Sequence, residues 1–375
     1  MANSTHSAVV RLRSLRDLLA GIPFPLAIDR AERARDARDH LVHQLDDYVL
    51  PRYERLDAPL LAVVGGSTGA GKSTLVNSLL GVDVAASSAI RPTTRRPLLL
   101  HHPAESSWFE DDRILPSLAR VRVAPDAPPT PASSDPAVHS ELEIRSTRGL
   151  PQGLAIVDAP DIDSIVNENR QVAAQLLAAA DLWLFVTTAA RYADAVPWDL
   201  LRDAASRNTV VAIVLDRVPP EVVDEVRSDL RRRLVEAGLA EAPLFTIEES
   251  VLDGDHLPED QVAPIRQWLG SLAADAASRS RVARQTLLGA VGSVLGNAAD
   301  VGEAAQQQVV ARDTLRARMA EAEQEALRRL ASATADGSLL RGEVLARWQE
   351  FVGTGDFFRS VEAQVGRIRD RVSAF

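Results

Sequence analysis

Eight consecutive residues carry the clearest chemistry in this chain: Gly66-Ser67-Thr68-Gly69-Ala70-Gly71-Lys72-Ser73. Glycines at the first and sixth positions let backbone N–H groups converge on an anion with no Cβ in the way. The lysine after the second glycine supplies a compact positive charge, and the hydroxyl that follows is a hard oxygen suited to Mg2+. This is the spacing of a loop that wraps nucleotide phosphates, with Lys72 on the β- and γ-phosphates and Ser73, followed by Thr74, opening a helix whose N-terminus favours negative charge. Lys72 is also the only lysine among the 375 residues; every other strong base is arginine. A thin ammonium fits inside a phosphate-wrapping loop where a broad planar guanidinium does not.

Two further stretches belong to the same chemistry. The apolar run Leu154–Val157 ends in Asp158-Ala159-Pro160-Asp161, and an aspartate at the end of such a strand is placed to hold the magnesium shell opposite the loop. Between them lies Ile90-Arg91-Pro92-Thr93-Thr94-Arg95-Arg96-Pro97, where a threonine can fold over the nucleotide and ligate Mg2+ only while a γ-phosphate is present.

These groups need a frame that brings strand ends together. Leu60–Val64 is a short apolar run directly before the glycine-rich loop, and Ser73–Leu80 reads as the helix after it. Further buried-strand patterns are Pro97–Leu100, Leu118–Val123, Leu142–Ile144, Leu154–Val157, Leu182–Thr187, Val210–Leu215 and Pro243–Thr246. Helical stretches alternate with the later ones, at Asn167–Ala180, Trp198–Ser206 and Glu221–Ala237. That alternation predicts an α/β fold with a mainly parallel sheet and helices on both faces. Pro125–Pro136, with five prolines, reads as an exposed loop.

Helical patterns flank this region. Val9, Leu12, Leu15, Leu19 and Ile22 form one stripe, and Leu41, Leu45, Tyr48 and Val49 another. No strand pattern follows residue 260. Leu315, Met319, Ala322, Ala326 and Leu330 mark one helix, and Leu340, Val344, Trp348 and Phe351 a second. A third stripe, Val361, Val365, Ile368, Val372 and Phe375, runs to the last residue and reads as a seam that continues further. The expected division is therefore 1–57 (N-terminal helices, a bundle or neck), 58–260 (the P-loop α/β domain) and 261–375 (a C-terminal helical bundle or stalk), with the two helical segments packing together beside the α/β domain.

Composition narrows the class. The formal charge of -10 argues against a protein that coats nucleic acid, and the chain has no cysteine for disulfides or thiolate metal sites, which fits a cytoplasmic setting. No run approaches the roughly 18 apolar residues of a membrane-spanning helix. Leu287–Leu295 is apolar, with Gly292 and Gly296 four apart, but helix packing within a bundle accounts for it.

Ala62-Val63-Val64-Gly65-Gly66, Gly71-Lys72-Ser73-Thr74 and Thr94-Arg95-Arg96-Pro97-Leu98 together resemble the dynamin family, bacterial dynamin-like proteins in particular. Asp158-Ala159-Pro160-Asp161-Ile162-Asp163-Ser164 is similar to that family's third GTPase motif. The resemblance covers residues 40–250 and implies Mg2+-dependent GTP hydrolysis, self-association or a paired dynamin-like partner, and peripheral contact with the inner face of the cell membrane. It makes Lys72, Thr94 and Thr68 the catalytic candidates and Ser73, Thr94 and Asp158 the metal ligands. Gly66 through Thr74, with Asp216 and Arg217, become the nucleotide contacts.

The chain departs from the family pattern in three places. Thr68 and Gly69 stand where the family has a Gln-Ser pair; Asp161 replaces the glycine that meets the γ-phosphate; and Asp216-Arg217-Val218-Pro219 stands where a guanine-reading Thr/Asn-Lys-x-Asp belongs. A weakly catalytic nucleotide-binding scaffold is therefore the second reading. An ATPase of the transporter type is the third, disfavoured because Asp158 is followed by Ala159 in place of glutamate and no Leu-Ser-Gly-Gly-Gln motif occurs.

Overall fold

The computed structural model describes residues 2–85, 96–110, 114–130, 138, 140–164, 167–335, 347–348 and 350. Thr94, residues 131–136 of the proline-rich stretch and the stripes at 340–351 (Trp348 apart) and 361–375 lie outside the described residues. The chain divides into two compact units, Met1–Ala305 and Gln306–Phe375.

The first unit is built on an eight-stranded sheet: β1 (Leu60–Gly66), β2 (Leu98–His101), β3 (Ala119–Arg122), β4 (Glu141–Ser146), β5 (Leu154–Asp158), β6 (Leu182–Thr188), β7 (Val210–Val218) and β8 (Leu244–Glu248). Their spatial order is β3-β4-β2-β5-β1-β6-β7-β8. Every pairing is parallel except β2 with β5. β1 sits between β5 and β6, with Val64 opposite both Asp158 and Leu184, so the loops leaving the ends of these three strands share one edge. In open α/β sheets that edge is where ligands bind.

Alternation along the central strands splits the core into two faces. Val63, Trp183, Phe185 and Ile213 point to one. That face is covered by α1 (Ala2–Ala20), α2 (Ala31–Gln44), α3 (Leu50–Glu54), α5 (Ser106–Phe109), α6 (Asn167–Ala178), α7 (Ala195–Ser206) and α8 (Val223–Glu236), through residues such as Leu12, Leu41, Leu50, Phe109, Leu176 and Leu234. Ala62, Val64, Leu184 and Val214 point to the other. There α4 (Lys72–Leu80) and α9 (Glu259–Ala273) pack through Leu75, Leu79, Ile265 and Leu269. The expected mainly parallel sheet with helices on both faces is the observed architecture.

The expected seams at 57/58 and 260/261 both fall inside the first unit. Leu41, Leu45 and Tyr48 of the N-terminal segment are buried in the same core as the sheet, and Leu269 of α9 is buried beside α4. One buried polar hub ties these parts together. Asp181, just before β6, accepts from Arg52 (2.8 Å), the Tyr48 hydroxyl (3.1 Å) and the Leu61 N–H (2.8 Å). Its backbone carbonyl accepts from Thr286 in α10 (Ala276–Ala335) at 2.8 Å.

In α10 the apolar stretch 287–295 turns Leu287, Ala290 and Val294 into the core and leaves Leu288 and Leu295 exposed. The close approach is made at Gly289, where a Cβ would overlap the Arg207 carbonyl, while Gly292 and Gly296 face open space. In the second unit Leu315, Met319, Leu327 and Leu330 are exposed. Among the described residues no helix is long and apolar enough to cross a membrane.

Candidate nucleotide site

β1 delivers the chain to Gly66, whose φ of 157° and proximity to the Val186 carbonyl leave no room for a side chain. The loop then doubles back through Gly71, at φ 88°, where a Cβ would run into the Asp216 carboxylate. Helix α4 begins at Lys72, so its first N–H groups and the positive end of its dipole face the loop. Lys72 is buried at 6% exposure, and its Nζ donates to the Gly66 and Ser67 carbonyls, each at 3.0 Å. An ammonium wrapped by its own loop is held at the place a phosphate would meet it.

Ser73 and Asp158, both expected at the magnesium site, are brought together: the Ser73 hydroxyl donates to Asp158 Oδ2 at 2.7 Å. A hydroxyl and a carboxylate at this separation are hard oxygens of the kind Mg2+ takes, since that ion keeps several waters and uses few protein ligands beside substrate phosphates. The donor set therefore fits Mg2+. Among the described residues no group of three or more His, Asp or Glu side chains could hold a metal without such help. Thr94, the third expected ligand, lies outside the described residues.

The loop after β5 closes over the P-loop. Its backbone is stitched to the end of β1 through Ala159 N–H to Val64 O (3.2 Å) and Ile162 N–H to Gly66 O (3.3 Å). Asp161 forms an ion pair with Lys72 at 2.5 Å. Thr68, expected in the catalytic position, gives both its N–H (2.6 Å) and its hydroxyl (2.8 Å) to Asp163 Oδ1. The other oxygen of Asp163 accepts from Arg191 at 2.7 Å. Sequence reasoning reached Asp161 but gave no role to Asp163 or Arg191. Asp163 stood inside a quoted motif, while nothing marked Arg191, which lies in the turn after β6.

At the end of β7 the register shifts between Leu215 and Val218, and Arg217 adopts φ 53°. Asp216 is turned under the P-loop at Gly71, where desolvation pushes its carboxyl up to about 6, partly offset by Arg217. The Arg217 guanidinium donates to the Gly69 carbonyl. Both residues thus touch the phosphate loop, and Pro219 has no side-chain acceptor for a base.

Residues 61–217 match the model of the Dynamin family. They form a dynamin-family GTPase domain. The match ends within the strand that carries Asp216 and Arg217 and includes both of them, the phosphate loop, Asp158, Asp161, Asp163 and Arg191. No curated protein matches the chain. Among solved structures, a chain of an oligomerised bacterial dynamin pair, described as providing a mechanism for long-range sensing and tethering of membranes, is similar at 17% identity. The match covers 84% of this chain and 55% of that one, with a TM-score of 0.41. A second chain of such a pair matches at 16% identity over 96% of this chain and 66% of that one, with a TM-score of 0.40. Toc33 from Arabidopsis thaliana, in complex with Mg2+ and GMPPNP, matches at 16% identity over 64% and 92%, with a TM-score of 0.34. The chain spans between about half and two thirds of the bacterial dynamin chains it matches.

Proposed function

We propose that this chain is a bacterial dynamin-like protein that binds GTP with Mg2+ and hydrolyses it slowly, or at speed only with a partner. The observation that carries the reading is the buried Lys72 beside the Ser73–Asp158 pair, set at the end of the central strand of a dynamin-family domain. Gly66 through Thr74 hold the phosphates, Lys72 stabilises charge developing on the transferred group, and Thr68 and Thr94 order the attacking water. Ser73, Asp158 and Thr94 would hold Mg2+, which would supply positive charge to offset that of the phosphates. Asp216 and Arg217 shape the loop beneath the nucleotide.

In this reading the helical segments 1–57 and 261–375 couple nucleotide state to self-association or to a paired dynamin-like partner. The chain acts in the cytoplasm, peripherally at the inner face of the membrane, without nucleic acid. The deciding assay is phosphate release from GTP with Mg2+, with and without anionic vesicles, beside Lys72→Ala. Turnover that the substitution abolishes supports the enzyme; absence of turnover under both conditions removes it.

The Asp161–Lys72 pair favours a second reading, a scaffold whose assembly follows nucleotide occupancy without turnover. Competition of GTP and ATP for a fluorescent nucleotide then measures base selection. A preference for GTP of about a hundredfold, roughly 2.7 kcal/mol, sustains GTP as the ligand, and equal competition gives a nucleotide site without base choice.

A further inference from the structure

We propose that Asp161 and Asp163 are internal stand-ins for nucleotide phosphate, holding the P-loop in a self-occupied state that nucleotide must open. The inference rests on the P-loop being the nucleotide site. Among the groups that would bind phosphate there, the Lys72 ammonium and the N–H and hydroxyl of Thr68 are bonded to carboxylates of one short loop. Lys72 meets Asp161 at 2.5 Å, and Thr68 meets Asp163 at 2.6 Å through its N–H and 2.8 Å through its hydroxyl. These are charge-assisted bonds, stronger than neutral ones, and they give each donor what a phosphate oxygen would give it.

The loop is held closed at three points besides. Ile162, between the two aspartates, is 2% exposed and sits in the core. Its N–H reaches the Gly66 carbonyl at 3.3 Å. Arg191, from the turn after β6, clamps the far oxygen of Asp163 at 2.7 Å. A nucleotide entering this arrangement meets the negative charges of Asp158, Asp161 and Asp163 where its own phosphates must go. Like charges a few ångströms apart in a partly buried site repel strongly. The two states exclude each other: carboxylates on the donors, or phosphates on them with the loop withdrawn.

Withdrawal also releases Arg191. The turn that carries it is closed by the Arg191 and Tyr192 N–H groups on the Thr188 carbonyl (3.0 and 2.9 Å), and the Tyr192 carbonyl accepts from the Trp198 indole at 2.8 Å. Phosphate occupancy is thereby communicated from the P-loop to the start of α7 through one ion pair. A protein whose binding-competent state is a minority binds more weakly by that fraction, and the loss lies in association. With the closed state at about nine tenths, opening the latch strengthens binding about tenfold.

The test is stopped-flow binding of a fluorescent GTP analogue with Mg2+ to the full chain, comparing wild type with Asp163→Ala, Arg191→Ala and Lys72→Ala. The expected result is association about tenfold faster in Asp163→Ala, a smaller gain in the same direction in Arg191→Ala, and little change in dissociation for either. A purely structural ion pair would leave association unchanged or slow it. Lys72-dependent binding with association no faster in both latch variants, at wild-type unfolding temperature, overturns the latch and leaves the phosphate site standing. Wild-type binding that Lys72→Ala does not weaken overturns the phosphate-site reading, and the latch falls with it. Arg191→Ala removes a side chain that is 36% exposed, so it keeps the comparison available should Asp163→Ala fold poorly.

Discussion

Replacing Asp216 by asparagine is expected to make the nucleotide-free protein more stable at neutral pH. The Asp216 side chain is 7% exposed, and burial pushes its carboxyl from the ordinary 3.8 up to about 6 against the opposing charge and N–H of Arg217. A displacement of that size corresponds to a penalty of about 3 kcal/mol on the charged form. Between pH 3.8 and about 6 the folded chain holds a proton here that the unfolded chain has lost. Stability therefore falls as pH rises through that window, and the full penalty stands above it.

Asparagine keeps the shape and an oxygen for the Arg217 N–H while removing the charge. The Arg217 guanidinium, 3.7 Å away and 51% exposed, already offsets part of the burial penalty within that displacement, so its loss is not a separate cost. The gain at pH 8 is then up to about 3 kcal/mol, read as a rise of several degrees in the midpoint of thermal unfolding. Urea denaturation of both proteins at pH 8, 6.5 and 5 measures it, and the difference should shrink as the pH falls. A variant that is less stable at pH 8, or a difference that stays constant across the series, refutes the reasoning. Weaker nucleotide binding by the same variant would mean that the charge is retained for the ligand at the expense of the fold.

Three other outcomes are expected. Asp181→Ala should destabilise the protein by about 3–5 kcal/mol, because it leaves the Arg52 guanidinium buried at 6% exposure without its countercharge; equilibrium unfolding measures this, and a loss under 1 kcal/mol would contradict it. Gly289→Ala should lower stability by about 1–3 kcal/mol by driving a methyl into the Arg207 carbonyl, whereas Gly292→Ala, facing open space, should be neutral or stabilising in the same thermal scan. Ser73→Ala should leave the fold intact and reduce the Mg2+ dependence of nucleotide affinity, seen by titration with and without a chelator. An unchanged Mg2+ dependence would remove Ser73 from the metal site.

Much of this architecture could be read directly from residue order. β1 and β6 are buried along their whole length, so they appear as uninterrupted apolar runs, and the phosphate loop stands out because its lysine has no rival in the chain. The pairing of Ser73 with Asp158 followed once strand, loop and helix were placed. What stayed hidden depends on contacts between distant segments. An antiparallel β2 beside β5 has the same residue pattern as a parallel one, so the sheet order was not readable.

The N-terminal stripes were expected to pack with the C-terminal helices, but Leu12, Leu41 and Tyr48 are buried in the same core as Val63 and Trp183 of the sheet. Asp181 looks like a turn residue between α6 and β6, yet it gathers Tyr48 and Arg52, Leu61 and Thr286 from three separate stretches. Arg191 is one arginine among many, and only the fold brings it against Asp163.

The burial of Lys72 has a practical side. As the chain has no other lysine, any reagent or modifying enzyme that targets side-chain amines is addressing the phosphate loop alone. At 6% exposure, with Asp161 across its ammonium, that amine is shielded while the loop stays shut. A 15N label at lysine Nζ would give a single side-chain resonance whose environment changes when carboxylate is exchanged for phosphate. The protein thus carries a built-in probe at the position where its chemistry is expected, with no competing signal from the rest of its surface.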